Sequence, residues 1–193
     1  MKNRIIGGLI AATGIAAAGL VIGSQYEHEG DEHGEHAGYE YRFGFGRRDM
    51  VPVQDSLYQE ECGACHFAYQ PGLLPAASWQ RLMDGLDDHF GDNAEVAADR
   101  GAQLRSYLVT NAADRVNTGR SPRIANSLRG AAPLRITETA YFRRQHDEIP
   151  PRAVADNPEL GSFSRCEACH AGAADGSYDE HAVRIPGWGR WDD

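Results

Sequence analysis

Between Pro75 and Gly91 the chain reads PAASWQRLMDGLDDHFG, and Trp79, Leu82, Met83, Leu86, His89 and Phe90 recur there at steps of three and four. That spacing places them on one face of one helix, with Gly91 as its stop. A second helix is predicted across DNAEVAADRGAQLRSYLVTNA, where Leu104, Tyr107 and Leu108 form an inward stripe. Gly101 weakens it by roughly 1 kcal/mol relative to alanine. Further on, RSPRIANSLRG offers Ser121 as N-cap, Pro122 in the first turn and Gly130 as terminator. RITETAYFRRQHDEIPP offers Thr137 as a cap, an apolar edge at Tyr141, Phe142 and Ile149, and a stop before Pro150 and Pro151. The links are loops with Pro, Gly and Asn, and no useful strand alternation is present. The pattern therefore predicts a mainly α fold.

The two ends of the chain differ in character. Lys2 and Arg4 precede an uncharged run from Ile5 to Gly23, the layout of an export signal over residues 1–23 that is either removed or kept as an anchor. Contact with a membrane is expected only in the second case. Residues 24–50 read as a spacer, because YEHEGDEHGEHAGYEY from Tyr26 to Tyr41 has no apolar period. His28, His33 and His36 in this tract could chelate a metal, with nothing fixing a geometry. Two compact units are expected after it, at 51–112 and 113–193. The formal charge of −9 disfavours binding to nucleic acid, since such a surface repels phosphates. An apolar fraction of 41% is low for a self-sufficient core, so something else is expected to fill the interior.

The cysteines suggest what that is. ECGACHFAYQPGLLP begins at Glu61 and RCEACHAG at Arg165, and together they contain all 4 cysteines of the chain. Paired cysteines serve zinc, disulfides or covalent haem, but only haem also uses the histidine that follows each pair. Histidine is 8 of 193 residues, so chance rarely places one after both motifs, and Cys-x-x-Cys-His is the c-type attachment spelling. Two thiols a helical turn apart can each add to a vinyl group of one porphyrin while the next imidazole faces the iron. On this reading Cys62, Cys65 and His66 hold haem 1, and Cys166, Cys169 and His170 hold haem 2. Each haem is a large apolar body around which a small chain can pack.

The second axial ligand separates electron carriers from gas binders and peroxidases. His89 is the candidate for haem 1, because a histidine on a core-facing stripe needs a polar partner, and Met83 is its alternative. His146, one turn after Phe142, is the candidate for haem 2. His181, in the polar stretch YDEHAVRIP, is its rival, and spacing also permits a crossed arrangement in which His146 serves haem 1. Two imidazoles per iron leave no open position and give low-potential couples, which favours electron transfer over catalysis. Arg135, Arg143 and Arg144 either pair with haem propionates or form a solvated helix face. Trp188 and Trp191 either cover a haem edge or pack loosely.

Beyond the motifs, the phrases ECGACHFAYQPGLLPAASWQRLMDGLDDHFGDNAE, SYLVTNAAD, PLRITETAYFRRQHDEIP and CEACHAGAADGSYDEHAVRIP resemble the dihaem cytochrome c family. Members of that family are redox partners of the sphaeroides haem protein, an oxygen-binding monohaem cytochrome c. The likeness runs from about Val51 to Pro186. It implies a periplasmic electron carrier with two bis-histidine haems in two small helical domains, the first similar to a shortened class I cytochrome c. It also implies a membrane cytochrome b as donor. Ala77 stands where the family's LLPAxSW phrase carries a basic residue, which bears on partner affinity more than on haem binding. The competing readings are a dihaem peroxidase-like enzyme and a dihaem electron-transfer subunit of a periplasmic reductase.

Overall fold

The computed structural model describes residues 48–191, which belong to one compact unit. The predicted export signal and the tract with His28, His33 and His36 lie outside the described residues. Helix α1 (Ser56–Glu61) starts where the Asp55 carboxylate accepts from the Tyr58 N–H at 2.8 Å, and it delivers the chain directly into Cys62. Helix α2 (Ala76–Asp84) has its first N–H held by the Asp114 carboxylate at 2.8 Å, from the far side of α3 (Ala98–Thr110). The two helices pack around Tyr58, Leu74, Trp79, Leu104, Leu108 and Ala112. The expected stripe of α3 is present, with Leu104 and Leu108 buried and Tyr107 partly so.

The helix expected to run to Gly91 stops six residues earlier, at Gly85, whose N–H bonds to the Leu82 carbonyl. A tight helical turn over Leu86–Asp88 follows, so His89 and Phe90 do not lie on a helix face. The apolar spacing alone does not reveal this, because Gly85 followed by Asp87 and Asp88 favours termination over propagation.

Helix α4 (Ser121–Leu128) begins one residue before its expected first turn. Arg120 is its N-cap without a side-chain bond, and Ser121, expected to cap, is a buried helical residue. The left-handed exit falls on Arg129 as well as Gly130. Helix α5 (Ala140–Gln145) is capped by Thr139, whose hydroxyl accepts from the Phe142 N–H at 3.1 Å, while Thr137 lies in a tight turn over Ile136–Glu138. Helix α6 (Cys166–Cys169) is the second cysteine motif itself. The sequence predicts no strand, yet a short antiparallel hairpin forms, β1 (Arg184–Ile185) with β2 (Gly189–Arg190), pairing Arg184 with Arg190 and Ile185 with Gly189. It closes a second core of Ala153, Val154, Leu160, Val183 and Ile185.

A third cluster, Met50, Ala113 and Ile124, joins segments far apart in sequence. The Met50 N–H donates to the Gly176 carbonyl at 2.9 Å, and the Arg120 N–H donates to the Asp49 carbonyl at 2.7 Å. The approach is close on both sides. Gly119 and Gly176 have φ of +56° and +76°, and a Cβ on either would collide with the backbone carbonyl of Asp49 or Met50 respectively. Among the described residues no helix is long and apolar enough to cross a membrane.

Candidate haem sites

At the first motif, Cys62 is half-buried whereas Cys65 and His66 are exposed. His66 Nδ1–H donates to the carbonyl of Phe67 at 2.8 Å, which leaves Nε2 as the ring's free lone pair. The turn after α2 then brings His89 back. Its N–H donates to the Asp92 carbonyl at 2.7 Å, and the Asp92 N–H returns a bond at 3.3 Å. Phe90 at the tip has φ of +61°, a conformation costly for an aromatic residue. Its ring lies 4.8 Å from His89, and the Arg135 guanidinium sits 3.9 Å from its centroid. The His66 and His89 rings are 6.2 Å apart and 20° from parallel.

At the second motif, His170 is the C-cap of α6, and its N–H donates to the Cys166 carbonyl at 2.8 Å. His146 is the C-cap of α5, with Nδ1–H donating to the Phe142 carbonyl at 2.9 Å. Its ring stacks on Phe142 at 3.9 Å and meets Phe163 edge-on at 5.9 Å. The His146 and His170 rings are also 6.2 Å apart, but 82° from parallel. Cys166, Cys169 and both histidines line a cavity of about 240 Å³ walled by Met50, Leu73, Ile124, Val154 and Leu160.

These distances can be set beside the spacing that the haem reading expects. An ion between two imidazoles at about 2 Å from each nitrogen sets the ring centroids about 6 Å apart. Both pairs match. The rings also favour the neutral form that binds metal. Burial, then His146 and Arg120, push His170 down to about 4. Burial lowers His146, and burial with His66 and Arg135 lowers His89. Among the described residues, His170 Nδ1 is buried without a hydrogen-bond partner.

The two other cysteine chemistries find no support in the geometry. All four cysteines are free thiols, and among the described residues no three His, Cys, Asp or Glu side chains converge on one ion. Burial, with Glu61 and Cys65, pushes the Cys62 thiol up to about 11, and burial with Glu167 pushes Cys166 to about 12.

The remaining candidates fall apart from the pairs. His181 is exposed and bonds Asp179 at 3.2 Å. Met83 packs against the first core and Met50 is buried in the third cluster. Arg135 covers Phe90, while Arg143 and Arg144 lie exposed in the last turn of α5, Arg144 at the rim of the cavity. Trp191 lines the cavity, whereas Trp188 is 46% exposed with Arg152 over its ring, so the two tryptophans differ in role.

Sequence reasoning missed Tyr69, Gln70 and Tyr178. The Tyr69 ring lies 5.1 Å from His66, and its hydroxyl donates to Ser164. Gln70 Nε2 donates to the Ala173 carbonyl at 2.6 Å, and its Oε1 accepts from the Tyr178 hydroxyl at 2.6 Å. The Tyr178 ring meets His170 at 5.2 Å. The only signal was the position of Tyr69 and Gln70 a few residues after His66.

A mainly helical chain that devotes all its cysteines to two such segments, each opposed by a second imidazole, has the design of a c-type cytochrome with two haem positions. The family model described as dihaem cytochrome c matches residues 58–178, and the chain belongs to that family. It is similar to the crystal structure of a dihaem cytochrome c from Shewanella baltica OS155, with 44% identity and a TM-score of 0.60 over 72% of this chain and 99% of that one. It is also similar to the dihaem cytochrome c from Rhodobacter sphaeroides, with 43% identity and a TM-score of 0.58 over 66% of this chain and 99% of that one. No curated protein matches the chain. Membership implies two haem groups, their c-type attachment given by the family's name, and a role in electron transfer.

Proposed function

We propose that the chain is a periplasmic electron carrier in which Cys62 and Cys65 tether one haem and Cys166 and Cys169 the other. His66 with His89, and His170 with His146, then occupy both axial positions at each site. The observation that carries this reading is the 6.2 Å separation found independently in both pairs, one joined through a turn and the other through two helix ends. Bound there, a haem supplies a one-electron couple of low potential, since no methionine sulfur is among the paired side chains. The four histidines fill the positions that a substrate would need, which supports a carrier over a peroxidase-like enzyme. Residues 1–23 support export. The resemblance supports electron flow from a membrane donor such as a cytochrome b to a soluble oxygen-binding monohaem cytochrome of the sphaeroides haem protein type.

Intact mass of the exported protein is expected to show two added haems, and carbon monoxide should leave the reduced spectrum unchanged. A single haem, or ready binding of the gas, would defeat the proposal. Stopped-flow mixing of the reduced protein with the oxidised monohaem cytochrome tests the partner separately, and the absence of electron exchange would remove that part alone.

A further inference from the structure

We infer that the two haem sites form in a fixed order. Residues flanking the first motif complete the second site, so the second closes only on a first site already folded, whereas the first closes without the second. The inference rests on the ligand reading proposed above.

The first core is built almost wholly from its own segment. Its buried members run from Tyr58 to Ala112, and of the described side chains packed on its edge only Ile136 comes from later in the chain. Ala113 and Asp114, which hold Leu74 and Ala76, follow α3 directly. The remaining ties are at the surface. Exposed Arg81 donates to the Ala132 carbonyl at 2.7 Å, Arg135 covers Phe90, and the Tyr69 hydroxyl can exchange Ser164 for water.

The second site depends on other segments. Its own core, from Ala153 to Ile185, supplies only part of the wall around Cys166, Cys169, His146 and His170. Met50 and Leu73, which stand before and after the first motif, supply another part with Ile124. The loop after His170 is pinned by the same flanks. Met50 N–H bonds Gly176 at 2.9 Å, the Asp49 carboxylate accepts from the Tyr178 N–H at 2.7 Å and from Arg120 Nε at 2.9 Å, and Gln70 holds Ala173 and Tyr178. His146 is carried by α5, α5 packs on α4, and α4 packs on the tight turn Pro71–Leu73 soon after His66. Gly72 permits that last approach, since a Cβ on it would overlap the Ser121 hydroxyl and press on the Met50 methyl at 3.0 Å. A segment opens as a unit when its supports are removed, and one that holds its own contacts stays closed.

Paired variants of the full-length exported chain test the order. Cys166→Ala/Cys169→Ala should carry one haem by intact mass, show no spectral change with carbon monoxide when reduced, and leave a protease-resistant fragment containing Tyr58 to Ala112. Cys62→Ala/Cys65→Ala should be digested throughout, and any haem it keeps should bind the gas. Gly72→Val, which retains all four cysteines, should carry two haems of which one binds the gas. Added to Cys166→Ala/Cys169→Ala, the same substitution should leave the remaining haem closed. The order is wrong if Cys62→Ala/Cys65→Ala keeps a closed haem and a protease-resistant second core, if Cys166→Ala/Cys169→Ala loses its closed haem, or if Gly72→Val keeps both haems closed. In each of these cases an unaltered protein that resists the gas leaves the ligand reading standing. Gas binding by the unaltered protein would overturn the ligand reading and the order with it.

Discussion

The hydroxyl of Tyr69 donates to the carbonyl of Ser164 at 2.7 Å, so a residue three places after the first motif holds the turn that enters the second. Gln70 continues the connection on its other side, bonding Ala173 and Tyr178 at 2.6 Å each. The two haem sites are thus tied through one dipeptide. Gln70 is 1% exposed, and replacing it by leucine leaves the Tyr178 phenol without its partner and the Ala173 carbonyl with only the Gly176 N–H at 2.9 Å. Gln70→Leu should cost about 1–3 kcal/mol, because a buried group left unpaired costs about that much. Tyr69→Phe, which removes a more exposed bond and keeps the ring, should cost about 1 kcal/mol or less. Denaturant unfolding of the holoprotein variants checks both, and equal effects would deny Gln70 its special place.

Gly176 sets a second constraint on the same junction. With φ of +76° and the Met50 carbonyl against its Cα, it lets the incoming segment at Asp49–Met50 reach the loop after the second motif. Gly176→Ala imposes both a left-handed alanine and a backbone collision, and should destabilise by about 1–3 kcal/mol. Gly161→Ala is the control. Gly161 also has positive φ, at +71°, but a Cβ there meets nothing within 4 Å. Its loss should be the smaller, and thermal unfolding of the two variants decides whether the contact or the dihedral dominates.

The chemistry of these sites was more legible in the sequence than the backbone that presents it. Each Cys-x-x-Cys-His segment names its own chemistry within five residues, and His146 is placed by its position one turn after Phe142, on which its ring stacks. The apolar stripe that points to His89 is helical only through Trp79, Leu82 and Met83. The residue meets His66 nonetheless, because the chain breaks at Gly85 and a strained turn at Phe90 folds it back. Such a turn leaves no periodic trace. The contacts of Asp49, Arg120 and Tyr178 join positions up to 129 residues apart, and no local pattern encodes pairs of that separation.

Alkaline pH should weaken the fold through its tyrosines. Burial raises Tyr58 and Tyr178 well above the ordinary phenol value, and burial, then Cys166 and Glu167, push Tyr69 up to about 12. The unfolded chain loses these protons near pH 10, where the folded chain still keeps them. Stability is therefore intact below about pH 10 and falls as pH rises toward about 12. Lys2 is the only lysine of the chain, so no amine within residues 48–191 titrates in the same window. Denaturation midpoints followed by circular dichroism at about pH 9 and about pH 11 should differ, with a smaller difference in Tyr178→Phe. A midpoint that does not move would show that these phenols ionise as freely in the folded chain as in the unfolded one.

The histidine pairs make the most direct prediction. His89 is reached through a turn outside any helix, and its removal takes away a ring without disturbing the buried core at Leu104 and Leu108. His89→Ala should fold, keep both haems and bind carbon monoxide at one site, shifting about half of the Soret absorbance on reduction. His146→Ala should open the other site and also lower stability, because the ring it removes is stacked on Phe142 and packed against Phe163. His181 bonds only Asp179 and its side chain is 77% exposed, so His181→Ala should leave the spectrum, the gas binding and the stability as they were. A variant of His181 that binds the gas, with His146→Ala closed to it, would transfer the ligand role to His181 and undo the pairing at the second site.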